Sequence, residues 1–146
     1  IMKKSKKEVK LNHNANDLYN IVLNIEDYPD YIPWCSKIEI LERKKNEIKA
    51  NMFVNYKFFP TQKFTSKVVY DFKKKIIKTS YLEGPLKDLF TSWEFIQLDK
   101  NNVKVIFIVG FEFKNFIHQK LAELFFPLIE VKMMNSFIKR ADNILN

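Results

Sequence analysis

The chain has 146 residues, 47% of them hydrophobic, with 14 phenylalanines, which is enough apolar surface for a real core and excludes a disordered chain. Its two glycines exclude a dinucleotide fold or P-loop, whose phosphate turns need several in a short stretch. One cysteine excludes an internal disulfide, and two histidines without a Cys/His cluster argue against a metal site or metal cofactor.

The formal charge of +8 has two readings. It suits an anionic partner such as RNA, a ribosome or lipid headgroups. It also follows from a lysine-rich composition, because the lysines are spread along the chain apart from five in the first ten residues. The basic start, IMKKSKKEVKLNH, lacks the apolar core of a secretory signal, and no run of 18 apolar residues occurs. The expected location is the cytoplasm, including the periphery of the inner membrane.

In chain order, Lys4 to Leu11 reads as a strand. Asn14 is placed to cap a helix whose Leu18, Ile21, Val22 and Ile25 form one apolar face, with Pro29 as its expected stop. A short, proline-stiffened aromatic corner follows, EDYPDYIPWC. From Ser36 to Phe113 the period is two, the alternation of half-buried antiparallel strands. Ile48, Ala50, Met52, Val54 and Tyr56 share one face, with Lys49, Asn51 and Asn55 on the other. Four more strands repeat the pattern, and the last places Val103, Val105, Phe107, Val109, Phe111 and Phe113 together.

The chain closes on an amphipathic helix. Asn115 is its expected cap, and a stripe runs from Ile117 through Leu121, Val131, Met134 and Ile138 to Leu145. Pro127 predicts a kink or break near Phe125 to Pro127. A twisted sheet with one apolar face needs a cover, and this helix is the only element long enough. The expected architecture is α+β: a helix grip, with a curved antiparallel sheet wrapped round a long C-terminal helix and a cavity between them.

Catalytic groups are scarce on the inward faces. Ser66, Thr79 and Thr91 offer hydroxyls without a neighbouring base, which suits hydrogen bonding to a ligand or to backbone and water better than nucleophilic attack. His118, near the start of the last helix, is the one candidate acid or base.

Four pieces of the chain carry a family resemblance. They are YPDYIPWC followed by IEILER, then EGPLKDLFTSWEF, FEFKNFIHQKL and MMNSFIKRA. In order and spacing the chain resembles the coenzyme Q-binding START-domain family. That family is also labelled oligoketide cyclase/lipid transport protein, and it includes the bacterial ribosome association toxin. The departures are Leu86 in place of a Phe after Gly-Pro, Ser92 in place of a Gly before Trp93, and Pro127 within the helix.

The resemblance implies one START-like lipid-binding domain over residues 2–146. It implies a hydrophobic tunnel for ubiquinone or a related polyprenyl lipid and no catalytic residues, hence a non-enzymatic carrier supporting respiration or quinone biosynthesis. The expected ligand-binding residues are Tyr31, Pro33 and Trp34 on the corner, Phe64, Tyr81, Trp93, Phe107 and Phe111 on the sheet, and Leu121 and Phe125 on the helix. Two rival readings stay open. One is a ribosome-associated toxin that binds the large ribosomal subunit and blocks subunit association. The other is a polyketide aromatase/cyclase, which would depend on His118. The isoprenoid lipid, a membrane surface and the large ribosomal subunit are the candidate partners; DNA is not one.

Overall fold

The computed structural model describes residues 2–56 and 59–145, and the side chains of all of these except 56, 59 and 121–129. The elements in order are β1 (Lys3–Leu11), α1 (Ala15–Leu23), a 3-10 turn (Ile25–Asp27) and α2 (Tyr28–Tyr31). Then come β2 (Cys35–Lys44), β3 (Glu47–Tyr56), β4 (Phe59–Asp71), β5 (Ile76–Glu83), β6 (Asp88–Gln97), β7 (Val103–Glu112) and α3 (Phe116–Leu145). The expected α+β helix grip is the observed architecture. The seven strands form one sheet in the order β1-β7-β6-β5-β4-β3-β2. Every neighbouring pair is antiparallel.

The meander from β2 to β7 follows from short turns. At Lys45-Asn46 the second residue takes φ 62°, a left-handed conformation that asparagine tolerates. Register shifts interrupt the ladders between Cys35 and Lys37, Ile40 and Glu42, Val54 and Tyr56, and Thr65 and Ser66. Such irregularities bend a strand and increase its twist, so they curl the β2–β4 side of the sheet. Two of the expected caps form. Asn14 accepts from the N–H groups of Asn16 and Asp17, and Asn115 accepts from Ile117 and His118.

The segment linking β1 to β2 crosses from one edge of the sheet to the other. It is pinned by the Ala15 N–H, which donates to Gln97 Oε1 at 2.8 Å, and by His13 Nε2, which lies 2.8 Å from Asp142 Oδ1 near the end of α3. Leu18, Tyr19, Ile21 and Val22 of α1 are buried in the core. Its heart is the inward face of β6 and β7, where Val103, Val105 and Phe107 are at most 2% exposed.

Four details depart from the sequence reading. Pro29 does not end α1, which stops at Leu23; it sits in the first turn of α2, where the missing N–H has no helical partner to lose. Pro127 does not break α3, which is one element from Phe116 to Leu145. The inward stripe of α3 is also shifted. Met134 and Ala141 are buried as expected, but Ile117 and Val131 are 66% and 44% exposed, and Phe137 is buried where Ile138 was expected. Finally, Asn51 lies on the outer face as expected but is only 5% exposed. There its amide donates to Glu39 Oε1 at 2.8 Å and accepts from the Thr65 hydroxyl at 2.6 Å, a polar row across β2, β3 and β4.

The β5–β6 connection depends on Gly84, at φ 151°. A Cβ there would lie 2.7 Å from the Tyr81 hydroxyl and 3.0 Å from the Lys63 carbonyl oxygen. The Tyr81 hydroxyl in turn accepts the Leu86 N–H at 2.9 Å, which closes the loop over buried Leu86. Gly84→Ala should therefore lower unfolding stability by about 1–3 kcal/mol through backbone strain and loss of this contact. Chemical denaturation measures this directly; an unchanged midpoint would show that the loop is not held as described.

Candidate functional site: an apolar cavity under an aromatic corner

The corner is built by local hydrogen bonds. The Ile32 N–H donates to the Tyr28 carbonyl at 2.8 Å and the Cys35 N–H to the Ile32 carbonyl at 3.0 Å. The Asn55 N–H donates to the Trp34 carbonyl at 2.8 Å and ties the corner to the end of β3. The Tyr28 hydroxyl donates to the Val22 carbonyl, locking the corner onto α1.

Rings carry the contact onward. Phe137 of α3 meets Tyr28, Tyr31 and Trp93 edge-on, with centroids 5.4, 5.5 and 4.9 Å away. Trp93 lies against Phe107 at 4.3 Å. This aromatic path runs from the corner through the helix to the sheet. Edge-to-face pairs at these distances contribute about 0.5–1.5 kcal/mol each beyond the area they bury.

Beside this path lies a cavity of about 390 Å³. Its floor is the middle of the sheet, where Ala50, Ser66, Thr79 and Thr91 are short and leave space. Ala50 pairs with Ser66, and Thr79 with Thr91, so small side chains sit side by side across β3–β6. The roof is Met133 and Phe137 of α3, and the end wall is Ile25, Tyr28, Ile32 and Trp34 of the corner. The lining is overwhelmingly apolar. Among the described residues its polar groups are the three hydroxyls, the indole N–H groups of Trp34 and Trp93, the Tyr28 phenol that is already bonded to Val22, and Lys132.

Of the residues expected to bind a ligand, Trp34, Phe64, Trp93 and Phe107 line this cavity. Tyr31 and Pro33 do not; with Trp34 they face a separate groove on the outer side of the corner. Tyr81 holds Leu86, with its ring 6.4 Å from Phe64. Phe111 is buried edge-on to Phe113 at 5.6 Å, beyond the cavity wall. The side chains of Leu121 and Phe125 lie outside the described residues. Sequence reasoning missed Phe137, Met133 and Tyr28 as wall residues, while Ile32 of the corner covers one end of the cavity as expected. The doubled apolar pairs Met133-Met134 and Phe137-Ile138 concealed which register of α3 faces inward.

His118 is exposed in the first turn of α3, 6.5 Å from the Phe113 ring, and does not line the cavity. Among the described residues, no group of three or more His, Cys, Asp or Glu is placed to hold a metal ion. None of the described helices is long and apolar enough to cross a membrane.

The profile of a family described as polyketide cyclase/dehydrase and lipid transport matches residues 11–138. The chain belongs to that family. It is 30% identical over 148 residues to the mitochondrial coenzyme Q-binding protein COQ10 of Dictyostelium discoideum, covering 99% of this chain and 70% of that protein. It is 25% identical over 138 residues to the ribosome association toxin RatA of Rickettsia prowazekii, covering 92% of this chain and 93% of that one. Among solved structures, the Zhui aromatase/cyclase of Streptomyces sp. R1128 superposes with a TM-score of 0.89 at 17% identity, covering 100% of this chain and 97% of its own. The fold is accordingly the START-like helix grip.

Cys35 reports on the corner. It is 3% exposed, and burial pushes its thiol from 9.0 up to about 11, against a backbone hydrogen bond at Lys37 that pulls it down. A raised thiol pKa favours the native state fully below the unfolded value and loses that contribution as pH rises through about 11. At pH values below the unfolded thiol's 9.0, the native thiolate fraction should be about 100-fold lower than in the unfolded chain. Labelling with an aromatic disulfide reagent should slow by at least that factor, and native rates equal to unfolded ones would mean the corner stands open.

Proposed function

We propose that the protein binds a ubiquinone or related polyprenyl lipid in the cavity between sheet and helix, without catalysing its conversion. The observation that carries this reading is the cavity's composition: among the described residues its wall is apolar apart from Lys132 at one end, the Tyr28 phenol, two indole N–H groups and short hydroxyl residues on the floor. Its volume of about 390 Å³ falls at the lower end of pockets that take drug-sized ligands, which suits a ring with a short stretch of isoprenoid tail. Ser66, Thr79 and Thr91 can donate to quinone oxygens, and each buried isoprene unit contributes a few kcal/mol at ~25 cal/mol per Å². The similarity to a protein named for coenzyme Q binding supports the same ligand class. A non-enzymatic role agrees with a described lining that pairs no acid with a base, and with His118 lying away from it.

Both tryptophans, Trp34 and Trp93, line the cavity and are intrinsic reporters. A short-tailed ubiquinone should quench their fluorescence saturably. The double substitution Ser66→Phe, Thr79→Phe fills the floor and should abolish the quenching while leaving the circular dichroism unchanged. Saturable quenching of equal strength in that variant would place the ligand elsewhere and defeat the reading.

A second reading, association with the large ribosomal subunit, is favoured by β1. Lys3, Lys4, Lys6, Lys7 and Lys10 are all exposed on this edge strand. The similarity to RatA spans nearly the whole of both chains. Under this reading the protein co-sediments with purified large subunits at low salt and is released as salt rises, since phosphate contacts weaken steeply with ionic strength. No co-sedimentation at low salt would remove it.

A further inference from the structure

On the outer side of the corner lies a groove of about 810 Å³ that the cavity does not account for. One wall is a stripe of α3: Lys132, Asn135, Ser136, Lys139, Arg140 and Asn143. Their spacing of three and four residues puts them on one helical face, the opposite of a core stripe. The facing wall is Asp30, Tyr31, Pro33 and Trp34 of the corner, with Asn55 from the end of β3.

Three observations separate this groove from an ordinary solvated helix face. First, its lining holds three cations, Lys132, Lys139 and Arg140, against one carboxylate, Asp30. Second, the Arg140 guanidinium lies over the Tyr31 ring at 5.0 Å, so a cation of the helix wall is held against the aromatic wall that faces it. Third, Trp34 and Lys132 line both this groove and the apolar cavity, so the two spaces abut at those two side chains.

We infer that the groove is an anionic head-group site, and that the ligand class is an amphiphile bearing a phosphate on an isoprenoid chain, with the chain in the cavity and the phosphate in the groove. This rests on the lipid-binding reading above and takes its polyprenyl alternative, with the chain rather than a quinone ring on the cavity floor. Lys132 stands where chain and head group meet; Lys139 and the amides of Asn135 and Asn143 supply further donors along the same face. The Arg140 guanidinium, 4.0 Å from Asp27 and over Tyr31, is held in place and completes the cationic side. Trp34 separates the wet side from the dry one, as an indole does at a boundary between apolar and polar surroundings.

The test compares two probes with the same chain, farnesyl monophosphate and farnesol, by tryptophan quenching in the wild type and in Lys139→Gln. Lys139 is exposed and lines the groove but not the cavity, so the variant keeps both the fold and the chain site. The phosphate should bind at least about 10-fold more tightly than the alcohol at low salt, and that advantage should fall by about 3-fold or more in Lys139→Gln while farnesol affinity stays the same. Equal affinity of the two probes in the wild type would overturn the groove assignment and leave the lipid reading standing. Inorganic phosphate binding as tightly as farnesyl monophosphate would overturn the amphiphile and make the groove a site for free anions. Farnesyl monophosphate binding undiminished in Ser66→Phe, Thr79→Phe would overturn both, because the chain would then not occupy the cavity.

Discussion

The contact of Phe137 with Trp93 is the constraint on which the cavity depends. It joins the long helix to the sheet through two rings with centroids 4.9 Å apart, and Tyr28 and Tyr31 brace the same phenylalanine from the corner. Large rings at this one place set the height of the helix above the sheet. The neighbouring floor positions carry Ala50, Ser66, Thr79 and Thr91, which are too short to reach that height. Spacers beside small residues leave a hollow that neither set alone would create.

The corner makes this arrangement specific. Pro29 fits the first turn of α2 without loss of a hydrogen bond, and Pro33 precedes Trp34 at the point where the chain turns into β2. With Trp34 tied to Asn55 through the backbone and Tyr28 tied to Val22, the aromatic surface is fixed before any ligand arrives. A pre-set wall loses little side-chain entropy on binding, so apolar contact translates more fully into affinity. The crowding of aromatics and prolines into ten residues is thus explained by two surfaces: Tyr28, Ile32 and Trp34 toward the cavity, and Tyr31, Pro33 and the other side of Trp34 toward the groove.

Much of the fold was legible because its signals are local. Period-two alternation marked the strands, Asn14 and Asn115 marked the helix starts, and inward hydroxyls at Ser66, Thr79 and Thr91 marked the floor. What escaped depends on non-local geometry. Helix α3 carries adjacent apolar pairs, so two stripes a residue apart compete, and the winner is set by where Trp93 and Tyr28 offer room for the Phe137 ring. Tyr81 and Phe111 share inward faces with cavity residues, yet a loop contact claims the one and Phe113 the other. Asn51 reads as a solvated residue, and only cross-strand register brings it between Glu39 and Thr65.

The chemistry of the hollow's wall limits what suits it. Its described lining is almost wholly apolar, so water entering it finds few hydrogen-bond partners across a broad apolar wall. A ligand that presents hydrocarbon to the wall restores the missing contacts, and one that carries its polar end past Trp34 and Lys132 leaves no charge in the dry interior. On the proposed reading, the short residues on the floor and the cations beyond the corner are parts of one arrangement, in which each end of an amphiphile meets the surroundings it would otherwise have in membrane and water.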